Sequence, residues 1–498
     1  MNTKRILKVI SLLICFVMLL SFVGCGQNKV EITPRNYIAL ETAPDGDKVP
    51  SSGFRVGFGR TEIIPEDSVP LQGYGDALNR MSTGYLDELY VSCIAITDED
   101  DKTLLLLEED LTTTREYITE NARKYAKETY GIEPEFVHMT STHTHSSPDT
   151  YNDTRAVLNY RAKVFRRIHE AIDIAMADRK TAEIQVGETK TKGMNYDRHY
   201  WRSDGTAMSD NYGIFSKAPL VSHLAEPDET MRLIKFTRKK SDGSKAKDVL
   251  LVNWQCHPHL SGSAELTDAS SDVIGPLTTT VEKDNNCYMA YYQGCAGNMN
   301  EKSLLSDEEN NTLEGYRVYG EKLASFVTAA YNKLDKMDAG KIKAVTKNFT
   351  APANHDQDDL VTGAREIVAE FNRTHSTLLL QGLFEKYHIH SIYQARAVIR
   401  CAGFGETYTM PVSAFCIGDI GFTTASCEMF CQSGMEIREK SPFKFTVTLS
   451  YTDEHHSYLP TAMYYDPGCY EVCITNYAKG GAELCTAQLI DMLKELHK

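Results

Sequence analysis

After residue 23, no apolar run in this 498-residue chain is long enough to cross a bilayer, which takes about 20 consecutive apolar residues. Positive charge is also short: 53 Lys and Arg stand against 68 Asp and Glu, a formal net charge of −15. Removing Lys4, Arg5 and Lys8 of the first segment, which holds no Asp or Glu, takes this from −15 to −18. The deficit argues against nucleic acid or an anionic surface as a general partner and leaves room for a local basic pocket. Thirteen cysteines are far too sparse for a disulfide scaffold in a chain of this length. Cys427/Cys431 and Cys469/Cys473, each spaced i, i+4, could bridge or bind a metal, but most of the cysteines read as small buried apolar residues. Gly/Ser/Pro-rich breaks, long charge runs and internal repeats are all missing beyond residue 53, so one large domain or two tightly fused halves is expected.

What is present begins with an export signal. Lys4, Arg5 and Lys8 form a positive start, residues 9–23 are apolar, and small Gly24 precedes Cys25. Phe22-Val23-Gly24-Cys25 is similar to the lipobox of bacterial lipoproteins, in which the cysteine is acylated and becomes the new N-terminus. An ordinary cleaved signal or a single N-terminal anchor fits less well, because an anchor needs a longer apolar run and no Gly-Cys exit. The expected organisation is therefore a signal at 1–24, a lipid-anchored spacer at 25–52 and a folded domain at 53–498, held extracytoplasmically on a membrane.

Strands are expected at 55–58, 91–97, 103–107, 136–142, 183–187, 249–256, 288–293, 395–400 and 414–417, all rich in Val, Ile, Leu or Tyr. Helices are expected at 114–130, 156–177, 314–333 and 482–496. In the second, Val164, Ile168, Ala171, Ile172, Ala175 and Met176 form one apolar stripe. The class is α/β, with mixed sheets flanked by helices.

Chemistry gathers where strands end. Ser141-Thr142-His143-Thr144-His145-Ser146-Ser147-Pro148 follows a buried strand. In extended backbone, His143 and His145 share a face and can aim into one site, although a structural pair bonded to backbone would look the same. Asn253-Trp254-Gln255-Cys256-His257-Pro258 is a second strand ending in histidine. In Ser426-Cys427-Glu428-Met429, Glu428 lies in an uncharged, semi-apolar stretch where a buried carboxylate needs a cation or a metal. His455-His456-Ser457-Tyr458 brings histidines and a tyrosine into a loop. Each has a plain explanation alone, while together they offer nitrogen and oxygen donors for a zinc ion with one position open to water. The turn Gly294-Cys295-Ala296-Gly297-Asn298-Met299-Asn300 either faces main-chain N–H groups toward an anion or needs glycine for tightness.

These segments, in this order, resemble the catalytic domain of the neutral/alkaline non-lysosomal ceramidase family. Val56-Gly57-Phe58-Gly59-Arg60-Thr61-Glu62 and Gly73-Tyr74-Gly75 resemble its start, and His143-Thr144-His145-Ser146 with Pro148 resembles its HTHSGP signature. Residues 253–257 resemble the strand of its second zinc histidine. Tyr458-Leu459-Pro460-Thr461, Tyr470-Glu471 and Gly480-Gly481-Ala482-Glu483 resemble its closing part. The resemblance, which spans 54–498, implies zinc ligation by His143, His257, Glu428 and Tyr458, with His145 beside the reacting carbonyl and Arg198 as a substrate-pocket cation. It implies hydrolysis of the amide bond in an N-acyl lipid or another N-acylated small molecule, with Tyr458 and the Gly-rich loop at the oxyanion. The family carries Gly-Asp-Val-Ser-Pro where this chain has Gly297-Asn298-Met299-Asn300-Glu301. Asn300 thus replaces a serine proposed to act in catalysis; it cannot be a nucleophile, but its amide can donate a hydrogen bond. The family's C-terminal immunoglobulin-like domain is not expected here. The alternative is a non-catalytic surface lipoprotein that binds a ligand with the same fold.

Overall fold

The computed structural model describes residues 40–74, 80–209, 216–262, 266–306 and 315–498, which fall in one compact unit, Ala39–Lys498. The signal, Cys25, most of the expected spacer, Gly75 and Glu314 lie outside the described residues. The spacer's last residues lie against the domain: Leu40 N–H donates to the Tyr90 hydroxyl at 3.0 Å and Thr42 N–H to the Arg60 carbonyl at 3.1 Å.

The larger sheet runs Cys287–Gln293, Asp248–Trp254, Thr230–Lys239, Lys180–Lys190, Arg55–Glu62, Tyr90–Thr97, Thr103–Glu109, Val137–Ser141, with Asp335–Met337 also paired to Lys180–Lys190. It rolls up on itself. Tyr292 on one edge strand donates its hydroxyl to the Leu106 carbonyl, beside the opposite edge, at 2.8 Å. A smaller sheet of Ile342–Pro352, Thr407–Ile417, Ile420–Ala425 and Phe445–Leu449 fills the concave side. There Phe58, Ile94, Leu106 and Leu251 of the first sheet pack with Phe415, Phe422 and Val447 of the second.

The outer face of the larger sheet is covered by helices Glu116–Tyr130 and Arg155–Ala177 through Val91, Leu105, Leu107, Ile118, Val164 and Ile168. The Thr154 side chain caps the second helix by accepting from Val157 N–H. The helix lies so close to Arg55–Glu62 that a Cβ on Gly57 or Gly59 would fall 1.9 or 2.1 Å from the carbonyls of Ala175 or Ala171. Only glycine fits there.

Within the two main sheets, three strand pairs are parallel: Thr103–Glu109 with Val137–Ser141, Asp248–Trp254 with Cys287–Gln293, and Ile420–Ala425 with Phe445–Leu449. Parallel neighbours need a crossover rather than a tight turn. Helices Glu116–Tyr130, Ile274–Asn285 and Cys431–Lys440 supply the three crossovers. In such units the carboxyl ends of the strands open onto the ligand side.

The expected strands are present with shifted ends, save one. Residues 395–400 are helical, inside Ile392–Cys401, because Ser391 caps that segment by accepting from Gln394 N–H and Ala395, Ala397 and Val398 pack inward. This helix, with Val361–Thr374 and Gln381–Tyr387, forms an excursion between two strands of the smaller sheet, built on Ile367, Phe371, Leu380 and Phe384. Among the described residues, no helix is long and apolar enough to cross a membrane.

Candidate metal centre

The carboxyl ends of the three parallel pairs converge. Past the first pair, Thr142 N–H donates to the Glu109 carbonyl at 2.9 Å and His143 N–H to the Leu111 carbonyl at 3.0 Å. His143 sits at φ 67°, a left-handed conformation that costs a non-glycine residue on the order of 1–3 kcal/mol. Its Nδ1 lies 2.6 Å from the Thr112 carbonyl. A carbonyl can only accept, so Nδ1 holds the proton and Nε2 keeps its lone pair.

Past the second pair, His257 repeats the device. Its main-chain N–H and its Nδ1 both meet the Met299 carbonyl, at 2.9 and 3.1 Å. His257 Nε2 is buried with no hydrogen-bond partner. His145 Nε2 lies 3.2 Å from His143 Nε2, and ligand-capable nitrogens of His143, His145 and His257 all fall within 4.8 Å of one another.

The third pair supplies the carboxylate. Glu428 is buried, and its short strand pairs with that of Tyr458 in direct register. Glu428 Oε2 is 3.5 Å from His143 Nε2 and 3.3 Å from His257 Nε2, and Tyr451 donates its hydroxyl to the same oxygen at 3.3 Å. The other oxygen, Oε1, is 3.0 Å from His455 Nε2.

Electrostatics favour neutral imidazoles here. Burial pushes His143 down to about 3, against the pull of Glu428. Burial also holds His145 well below its ordinary value, helped by His143, His257 and His259, and lowers His257, helped by Arg198. Burial pushes the Glu428 carboxyl up, yet it lies well below its ordinary value, with His455 at Oε1 and the Tyr451 hydroxyl at Oε2 as its donors. Neutral nitrogen donors around one buried carboxylate form a donor set that suits a borderline dication such as zinc. Without an ion, inward-facing lone pairs and a desolvated charge would be costly.

Behind Tyr458 lies a closed charge network. Arg198 is buried, pairs with Glu471 and places its guanidinium 5.4 Å from the Tyr458 ring centre. His199 bridges Asp197 at 2.8 Å and Glu471 at 2.7 Å. Burial alone would lower His199, yet the two carboxylates raise it well above its ordinary value. Burial pushes Glu471 up, while Arg198 and His199 more than offset this and hold it at about 2. Arg198 therefore stands behind Tyr458, with its charge spent on Glu471.

The Gly-rich loop turns its polar groups inward. The N–H groups of Gly294, Gly297 and Met299 donate to the carbonyls of Trp254, Met429 and Ala296 at 2.7, 2.9 and 2.9 Å. A Cβ on Gly297 would sit 2.5 Å from the Glu428 carbonyl, so glycine is needed for close approach to the carboxylate's own strand. Asn300, 5% exposed, pairs its strand with Tyr196.

Two solved structures share this architecture. One is described as neutral ceramidase from Pseudomonas aeruginosa: TM-score 0.67, 18% identity, 90% of this chain and 75% of that one covered. The other is described as a ceramidase complexed with C2: TM-score 0.64, 16% identity, 89% and 75% covered. The fold is that of the neutral ceramidases. No protein-family profile matches the chain, and no curated protein matches it in sequence.

On this ceramidase fold, His143, His145, His257, Glu428 and Tyr458 come together from segments up to 315 positions apart in sequence, as the His143–Glu428 and Tyr458 contacts require. Two residues around the site, Tyr451 and His259, escaped the sequence reading, and the partner of His455 could not be read from it. Tyr451 donates to Glu428, His455 holds its second oxygen, and His259 stacks edge-on 5.6 Å from His145 while its Nδ1 meets Glu301 at 2.8 Å. His259, two positions after His257, and His455 were visible as residues, but only tertiary contact reveals their partners.

Proposed function

We propose that the chain is a metal-dependent hydrolase that cleaves an amide bond in an N-acylated, lipid-like substrate, anchored outside the cytoplasm by a lipid on Cys25. The observation that carries this reading is the convergence of His143, His145 and His257 on Glu428 at the strand ends of a ceramidase fold. His143, His257, Glu428 and Tyr458 would hold zinc. Such an ion supplies Lewis acidity and a bound water whose pKa falls to about 7.

The chain's own residues do the rest. Thr112 and Met299 fix the tautomers of His143 and His257 through their carbonyls. His145, neutral and partly exposed, takes the proton that the attacking water gives up and returns it to the leaving amine. The Asn300 amide donates to the carbonyl oxygen as charge develops. Arg198, through the face of Tyr458, steadies that ring.

The test is a screen of the purified chain from residue 26 onward against N-acyl amides and the matching esters, with and without a chelator. Turnover of an amide, abolished by the chelator and restored by zinc, is the expected result. A protein grown with ample zinc that contains none by elemental analysis would end this reading. A second reading, ligand binding without turnover, is favoured by the inward-turned Gly-rich loop. It predicts that N-acyl lipids bind but survive. For the anchor, Cys25→Ser should release the protein from membranes or leave its signal uncleaved.

A further inference from the structure

Glu428 divides its two oxygens between different partners. Oε2 faces His143 Nε2 and His257 Nε2, while Oε1 lies 3.0 Å from His455 Nε2. We propose that His455 is a positioning residue for the metal: its Nε2–H holds Glu428 Oε1 and so leaves Oε2 alone to turn toward the ion. The inference rests on reading the cluster as a metal centre and names a residue outside the ligand set.

The backbone around His455 supports it. Tyr451, Asp453 and Ser457 adopt φ values of 56, 69 and 67°, three left-handed non-glycine residues within one short loop. Strain of this kind persists only where the surroundings over-determine it, and it gathers at functional sites. The loop is fastened on both sides of His455. Asp453 N–H donates to the Met139 carbonyl at 2.7 Å, and its carboxylate accepts from Met139 N–H at 3.0 Å and from Arg123 at 2.8 Å. On the other side, His456 N–H donates to the Ser426 carbonyl at 2.7 Å, and its Nδ1 meets the Tyr408 hydroxyl at 2.7 Å. The His455 ring is thereby presented at a fixed place, with its side chain 20% exposed. Tyr451, the other donor to this carboxylate, is at 3.3 Å, long for a hydroxyl donor. Partners that orient a ligating carboxylate typically change metal affinity by about 10–100-fold.

The experiment titrates metal-free protein with zinc against a chromophoric chelator, and with cobalt(II) to record the ligand-field spectrum. His455→Ala should weaken zinc binding by about 10–100-fold and alter the cobalt spectrum. His455→Gln, which restores an N–H near the same place, should recover most of the affinity. The thermal midpoint of the metal-free proteins should be the same in all three. Should the alanine variant fail to fold, His455→Phe, which keeps the bulk without the donor, replaces it and should show the same loss. Wild-type affinity in His455→Ala or His455→Phe would overturn the inference while leaving the metal centre standing. A wild-type protein that takes up no zinc would bring down the metal centre itself, and the role of His455 with it.

Discussion

Glu109 ends the strand paired with the one that leads to His143; its main-chain carbonyl accepts from Thr142 N–H, and its carboxyl is buried. Burial pushes it up to about 8 from an ordinary 4.5. The folded chain therefore keeps a proton that the unfolded chain releases, and stability falls as pH rises from the ordinary value toward 8. The slope is about 1.4 kcal/mol per pH unit. Glu109→Gln should flatten the thermal midpoint across this window and raise it at pH 8; an unchanged pH profile would show that the carboxyl is not protonated in the fold. Asn300 makes the second prediction at this scale. Asn300→Ala should slow turnover by about 10²–10³-fold, as loss of one oxyanion donor does, while zinc content stays whole. Equal rates would reduce Asn300 to a turn residue.

At the scale of elements, the site is a product of three crossover units, and this explains what could be read in advance. Apolar strands ending in histidine or in glycine, such as 249–256 and 288–293, announce themselves because burial on both faces demands unbroken hydrophobic runs. The HTHS run and the Asn253–His257 segment were legible for that reason. Segment 395–400 was not, since a short apolar run such as Ala397-Val398-Ile399 suits a strand and a helix alike, and only the cap from Ser391 and the packing of its own helical cluster decide the matter. Nor could the strand Thr230–Lys239 be seen, as its Lys235 is buried and donates to the Tyr331 carbonyl at 2.9 Å. The inward turn of the Gly-rich loop depends on Glu428, some 130 positions away in the numbering, which no local pattern reports. Gly297→Ala tests the element directly. Its Cβ would meet backbone that cannot swing aside, so a loss of about 1–3 kcal/mol is expected, together with weaker zinc binding. Gly382→Ala, with nothing within 4 Å of its Cβ, is the control and should be neutral or slightly stabilising.

At the scale of the whole molecule, the rolled sheet and its filling leave ten cysteines, from Cys93 to Cys485, as buried thiols. Burial pushes Cys287 up to about 12 and Cys295 up to about 11, so almost none of either is thiolate near neutrality. The i, i+4 pairs are part of this pattern, with Cys427, Cys431 and Cys469 each enclosed in apolar packing. A folded chain is thus nearly inert to oxidants, whereas an unfolded one exposes eleven thiols able to pair wrongly faster than the strands can find their registers. Heating in air should therefore be a one-way journey, and heating under a reductant a return one, which calorimetric rescans would separate. In the extracytoplasmic location proposed above, the fold is the chain's antioxidant: the thiols are safe only for as long as the structure holds.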